Sequence, residues 1–220
     1  MTQLITTLDA LLGTSSGPGQ WTESARTTLP EFSRRLQTAR LSAGQESRVL
    51  DHLSEIERAH PEDVAVQAAQ SMVRTLTIGK AAPEISGKDL DDAAFRLSDY
   101  RGKVVLIDFW GIWCPACVSS VKQLVDGYRR MHGKGFEILS VHSGGRETEV
   151  RKFASEHEMT WPQTIETGEI SAGRPLQRLY RFFGAPNYFL VDRDGSLLTN
   201  DVRKPEVLLA EVEKRLGVTR

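Results

Sequence analysis

Val104-Val105-Leu106-Ile107-Asp108-Phe109-Trp110 is an apolar run broken by a single acid, and it leads directly into Gly111-Ile112-Trp113-Cys114-Pro115-Ala116-Cys117. A run without polar alternation fits a strand covered on both faces, the central position of an α/β sheet. Pro115 suits a first helical position, and amphipathic spacing continues from it to about Met131. A strand ending at Trp110 and a helix beginning near Pro115 put Cys114 at the helix's first turn. Unpaired backbone N–H groups there favour a negative thiolate.

Cys114 and Cys117 are the only cysteines of the chain. A pair at this spacing fits a disulfide that opens and closes. Cys114 is then the nucleophile, expected to be the more exposed and lower in pKa. Cys117, one turn inward, attacks the mixed disulfide and frees the partner's thiol. Two plainer readings use the same residues. A static bridge enclosing two residues removes little unfolded-chain entropy and stabilises weakly. A structural zinc site needs four Cys or His ligands, and no second CxxC or close His pair follows.

Asp108 is an acid inside a continuous apolar strand. Burial raises a carboxyl's pKa, so this one is expected to hold or relay a proton near neutral pH; the alternative is a solvated strand end.

Residues 1–77 read as a small bundle of antiparallel helices. Leu4, Leu8, Leu11 and Leu12 recur at helical spacing until Gly13, and a second helix from about Thr22 carries Leu29, Phe32 and Leu36. Ser42 with Gln45 resembles a capping box ahead of Val49, Leu50, Leu53 and Ile56. Pro61 suits the start of a helix bearing Val64, Ala68, Met72, Val73 and Leu76. These stripes are the bundle's own core, and His52 and His60 have no partners at metal spacing.

From Ile78 strands and helices alternate. Strands are expected at Ala94–Leu97, Val104–Phe109 and Phe136–Val141, and helices at Glu147–His157, Pro175–Phe182 and Pro205–Leu216, the last with Val207, Leu208, Val212 and Leu216 inward. Tyr188–Val191 and Leu197–Thr199 flank Asp192-Arg193-Asp194-Gly195, a hairpin signal. The pattern is that of an α/β sheet of mixed direction.

Lys and Arg number 28 against 29 Asp and Glu, with no dense basic run. Nucleic acid and anionic membrane are therefore poor partners. No stretch approaches a membrane span, and Met1–Ala10 has neither a basic segment nor a long apolar one. A chain trimmed of an export signal or anchor reads the same way, and CxxC pairs operate on both sides of a membrane.

Residues 78–217 resemble the thioredoxin superfamily, and within it the TlpA/ResA-like thiol-disulfide oxidoreductases related to AhpC/TSA proteins. The match is carried by Gly79-Lys80-Ala81-Ala82-Pro83, by Phe95-Arg96-Leu97-Ser98-Asp99-Tyr100-Arg101-Gly102-Lys103, by Phe109 to Cys117, and by Gly184-Ala185-Pro186-Asn187-Tyr188-Phe189-Leu190-Val191-Asp192. The resemblance implies a thioredoxin-like domain over 78–220 behind the all-α region of 1–77. It implies a cis Pro186 facing the CxxC, with Ala185 offering backbone groups to an extended substrate. Trp113, Pro115, Ala185 and Pro186 are accordingly the expected substrate contacts, with Trp110 and Trp113 forming an apolar apron. Asp108 stands six residues before Cys114, the offset at which thioredoxin carries a buried acid, and is the expected base for Cys117.

Two departures stand out. ResA-like proteins commonly place a Glu three residues after the second cysteine, where this chain has Ser120; that weakens a cytochrome-maturation role. Pro115-Ala116 also differs from the dipeptides of thioredoxin and ResA, and Pro115 contributes no N–H to the Cys114 sulfur.

The leading expectation is an enzyme that reduces disulfides of partner proteins and is re-reduced by an upstream thiol donor, without cofactor or resident metal. The resemblance implies an extracytoplasmic setting in a bacterium, with a cytoplasmic one left open. A copper chaperone could use both thiolates with His142, which follows a strand, although a plain loop histidine is the simpler reading. Ser143-Gly144-Gly145-Arg146 could cradle an anion but reads as a turn. A peroxidase would need a Thr or Ser at Gly111, three residues before Cys114. The helices of 1–77 are candidates for docking a partner.

Overall fold

The computed structural model describes residues 43–59, 61–62, 64–166, 176, 179–180 and 184–218. The chain divides into two compact units, Met1–Lys80 and Ala81–Arg220, three residues beyond the boundary expected after residue 77.

In the first unit α1 (Ala43–Ala59) and α2 (Val64–Thr75) are described. Val49 and Leu53 of α1 and Val66, Ala69 and Val73 of α2 are buried at helical spacing. Gln70 Nε2 donates to Glu57 Oε2 at 2.9 Å and links the two helices. Pro61 lies in the turn before α2, not in its first turn. The helices expected over 4–12 and 22–36, Ser42, His60 and the side chains of Val64, Ala68 and Met72 lie outside the described residues.

The second unit begins with a short antiparallel hairpin, β1 (Ser86–Lys88) and β2 (Ala94–Arg96). There follow β3 (Val104–Trp110), α3 (Pro115–Met131), β4 (Phe136–Ser143), α4 (Glu147–Glu156), β5 (Gln163–Glu166), β6 (Asn187–Val191), β7 (Leu197–Val202) and α5 (Pro205–Leu216). They build a five-stranded sheet in the order β5-β4-β3-β6-β7. β3 pairs parallel to β4 and antiparallel to β6, β4 parallel to β5, and β6 antiparallel to β7. β3 is thus the middle strand, and all of its residues are buried.

Chain direction fixes where the helices go. The crossovers β3-α3-β4 and β4-α4-β5 step the same way across the sheet, so right-handed connections put α3 and α4 on one face. One core cluster accordingly joins Leu106, Trp110 and Ile138 of the sheet with Val121 and Leu124 of α3, Val150 of α4, and Leu208 and Val212 of α5. A Cβ on Gly127 would come 2.7 Å from Leu209 Cδ2, so glycine permits the close approach of α3 to α5. On the other face Phe109, Tyr180 and Phe189 pack with ring centroids 4.8–5.8 Å apart.

Two expectations are corrected and one strand is added. β4 runs two residues past Val141, because parallel pairing to β5 continues through His142 and Ser143. β5 itself carries no sequence signal: it is short, mostly polar, and follows Pro162. In α5 Val207 is 56% exposed while Leu209 is buried, a shift of the apolar stripe set by packing on α3. Of the helix expected over Pro175–Phe182 only residues 176, 179 and 180 are described; there Tyr180 N donates to Leu176 O at 2.8 Å, a helical spacing.

Candidate active site

β3 ends at Trp110, and Gly111-Ile112-Trp113 carries the chain to Cys114, the N-cap of α3. Cys114 and Cys117 form a disulfide with Cα atoms 5.3 Å apart. Pro115 occupies the first turn without an N–H to offer, and the Cys117 N–H donates to Cys114 Sγ at 3.2 Å. The Cys117 and Val118 N–H groups also reach the Cys114 carbonyl at 3.0 and 3.1 Å. A thiolate on Cys114 therefore meets the positive end of α3 through one aimed N–H. Exposure does not separate the two cysteines as expected: Cys114 is 5% and Cys117 3% exposed. Their difference lies in position, cap against first turn.

The end of β4 holds the segment before Cys114. Ile112 N–H donates to His142 Nε2 at 2.9 Å, and Trp113 Nε1–H donates to the Ser143 carbonyl at 3.1 Å. His142 is thus not a loop histidine. It lies inside β4, 1% exposed, with its ring edge-on to Trp110, centroids 4.8 Å apart. Its Nε2 is already an acceptor, so it is not poised as a third copper ligand. Among the described residues no group of three His, Cys, Asp or Glu side chains is arranged for a metal.

Trp113 is 59% exposed whereas Trp110 is buried. Only Trp113 can therefore form the expected apron. Its indole folds back over Gly111, where a Cβ would come 2.5 Å from Nε1. The place at which a peroxidase would carry a hydroxyl is filled by this ring.

Ala185–Pro186 is a cis peptide, and Ala185 packs against the cluster that contains both cysteines. Pro115 is exposed beside Cys114.

Asp108 lies beneath this surface. It shares the face of β3 with Leu106 and Trp110, the face covered by α3. It is 1% exposed, and burial pushes its pKa up to about 7 against the lowering effect of a hydrogen bond from Ser140. Ser140 Oγ donates to Asp108 Oδ2 at 2.9 Å and accepts from Trp161 Nε1 at 2.8 Å. In register, Gln163, Ser140, Asp108 and Tyr188 form a buried polar row across four strands. Burial, and next the charge of Asp108, push the Tyr188 hydroxyl upward, while its hydrogen bond with Ser120 lowers it. Ser120 Oγ also donates to the Ala116 carbonyl at 2.9 Å. Ser140, Trp161 and Tyr188 were not singled out from sequence; only Ser140 left a signal, a polar residue inside an apolar strand like Asp108 itself.

The sequence profile of the AhpC/TSA family matches residues 78–199, more than half of the chain. The chain belongs to this family. Among its relatives the thiol-disulfide oxidoreductase ResA of Geobacillus kaustophilus is 31% identical over 135 residues, covering 60% of this chain and 75% of the relative. The ResA of Bacillus anthracis is 29% identical over 123 residues, covering 56% and 68%. Among solved structures, the thioredoxin domain of a thiol-disulfide oxidoreductase from Bacteroides vulgatus is 31% identical with a TM-score of 0.57, covering 64% of this chain and 99% of that one. A thiol:disulfide interchange protein DsbE from Chlorobium tepidum is 27% identical with a TM-score of 0.55, covering 66% and 99%. This AhpC/TSA member has the thioredoxin-like fold and belongs to its TlpA/ResA-like branch. With a CxxC disulfide at the cap of α3, it is a thiol-disulfide oxidoreductase.

Proposed function

We propose that the protein reduces disulfides in partner proteins, with Cys114 as nucleophile, Cys117 as resolving thiol and Asp108 as proton acceptor. The Cys114 thiolate attacks one sulfur of the partner disulfide, forming a mixed disulfide and releasing one partner thiolate. The Asp108 carboxylate takes the proton of Cys117, whose thiolate attacks Cys114 Sγ. The partner's second sulfur leaves, and the Cys114–Cys117 bridge closes with two electrons passed to the partner. A dithiol donor reopens the bridge. The observation that carries this reading is the disulfide at the α3 N-cap, with the Cys117 N–H aimed at Cys114 Sγ. The buried Asp108 on the same face supports its role as base.

Trp113, Pro115, Ala185 and Pro186 are proposed to contact the partner. Exposure of Trp113 and Pro115 and the packing of Ala185 against the core cluster that includes both cysteines favour this. Residues 1–77 are proposed to dock a partner. An extracytoplasmic setting is proposed from the family; no helix among the described residues is long and apolar enough to cross a membrane.

Equilibration of the full chain against glutathione or dithiothreitol, with Cys114→Ser as control, tests the direction. A potential near about −270 mV, as in thioredoxin, supports a reductant. One near about −120 mV, as in DsbA, makes the protein an oxidant instead. Cys117→Ser is expected to trap the mixed disulfide through Cys114.

A further inference from the structure

Among the described residues Asp108 has one hydrogen-bond donor on its carboxyl, the Ser140 hydroxyl, and none of them bonds Oδ1. That hydroxyl is itself held. An indole N–H can only donate, so Trp161 Nε1, 2.8 Å from Ser140 Oγ, fills one of its lone pairs. The Ser140 backbone N–H donates to the Pro162 carbonyl at 3.0 Å, so the segment after α4 grips Ser140 by both its backbone and its side chain. Trp161 is 3% exposed and packs edge-on to Tyr128, centroids 5.2 Å apart, which fixes the indole.

What remains on Ser140 Oγ is one proton and one lone pair, both within reach of Asp108 Oδ2. Toward a carboxylate the hydroxyl donates; toward a protonated carboxyl it accepts. The same oxygen serves both protonation states without moving.

We propose that Ser140, clamped by Trp161, is the positioning residue that holds the Asp108 carboxyl and stabilises its ionised form, so that the group can give and take a proton as the disulfide opens and closes. The link to the redox cycle rests on the reading of Asp108 as proton acceptor for Cys117; the hold on Asp108 does not. Other groups facing Asp108 give it no charged donor. They are Tyr188 on β6, His142 further along β4 and Gln163 on β5, with the Cys114–Cys117 pair at the start of α3 in the core cluster that covers this face of β3. No lysine or arginine stands in the polar row, so a neutral hydroxyl does what a cation would otherwise do. Burial raises the Asp108 pKa and Ser140 opposes it, the two causes acting on this group.

The test uses the full oxidised chain, in which the cysteines do not titrate and the carboxyl is read alone. The Asp108 carboxyl carbon is followed by NMR from pH 4 to 10 in wild type, Ser140→Ala and Trp161→Phe, with Asp108→Asn for assignment. The pH profile of insulin-disulfide reduction is recorded beside it. Ser140→Ala is expected to raise the Asp108 midpoint by about one unit and to slow reduction about fivefold at pH 7, with recovery at higher pH. Trp161→Phe, which removes only the N–H, is expected to shift the midpoint the same way by less. An unmoved midpoint in Ser140→Ala overturns the proposal; where that variant does not fold, an unmoved midpoint in Trp161→Phe does so. A midpoint that rises while the rate profile stays put supports the hold of Ser140 on Asp108 and overturns Asp108 as the base.

Discussion

Replacing Asp108 by Asn should stabilise the protein at high pH relative to low pH. The Asp108 carboxyl has a pKa of about 7 in the fold against 3.8 for the free side chain. A carboxyl with a raised folded pKa binds its proton more tightly when native, so its contribution to stability is full below pH 3.8 and is lost as pH rises through 7. Each unit of difference corresponds to about 1.4 kcal/mol, and between pH 5 and pH 8 the native carboxyl forfeits about 2.5 kcal/mol of stabilisation. Asn cannot ionise, so its curve lacks this component. Its amide does leave a buried N–H₂ facing the atom pair that Oδ1 now occupies, so the absolute stability at one pH decides nothing; the slope does. Guanidinium unfolding of the oxidised chain at half-unit steps from pH 5 to 8, read by tryptophan emission, measures both curves. Trp110, Trp113 and Trp161 lie in the second unit and Trp21 in the first, so a Trp21→Phe background in both proteins confines the signal to unfolding of the second unit. Parallel curves for wild type and Asp108→Asn would refute the reasoning, since Asp108 would then be ionised in the native state throughout.

Gly111→Ser should displace the Trp113 indole, because the new Cβ would lie 2.5 Å from Nε1; a shifted Trp113 emission, a severalfold rise in KM for a protein disulfide and no gain in peroxide reactivity are expected, and fast peroxide reduction by stopped flow would contradict this. Tyr128→Phe removes the 2.8 Å bond from its hydroxyl to Glu137 Oε1, leaving a buried carboxylate with the half-exposed Lys103 at 3.1 Å. A loss of about 1–2 kcal/mol in denaturant unfolding with unchanged reductase activity is expected.

The central strand, α3, the β6–β7 hairpin and α5 were legible because each has a strong local signal: an unbroken apolar run, Pro115 at a helix start, Asp-Arg-Asp-Gly between short apolar pieces, and Pro205 ahead of an amphipathic stretch. The cysteine pair and Asp108 were legible as chemistry for a related reason, since each is an anomaly in its own segment. What was hidden depends on register. Ser140 and Tyr188 flank Asp108 only because β4 and β6 pair with β3 at those positions, and nothing local announces a pairing partner. β5, four residues long and mostly polar, exists because β4 offers it an edge. His142 reads as a loop residue in sequence because its neighbours Ser143, Gly144 and Gly145 look like a turn, while tertiary pairing carries the strand through it.

Register also explains how the site manages without a second acid. The resemblance leads to a glutamate three residues beyond Cys117, where this chain has Ser120. Ser120 is hydrogen-bonded to Tyr188, and Tyr188 stands directly opposite Asp108. A carboxylate at position 120 would therefore face a tyrosine next to the buried Asp108, and two acids so close resist ionising together. With serine there, the groups bonded on that side are the Ser120 and Tyr188 hydroxyls, and the Tyr188 hydroxyl is held neutral by burial and by the charges of Asp108 and Glu206. Asp108 is then the one carboxyl in the row, and its ionisation is not split by a neighbouring acid into two coupled steps. The rate of bridge closure should accordingly follow one carboxyl ionisation centred near pH 7, superimposed on the thiol titrations, and Asp108→Asn should remove that ionisation without uncovering another.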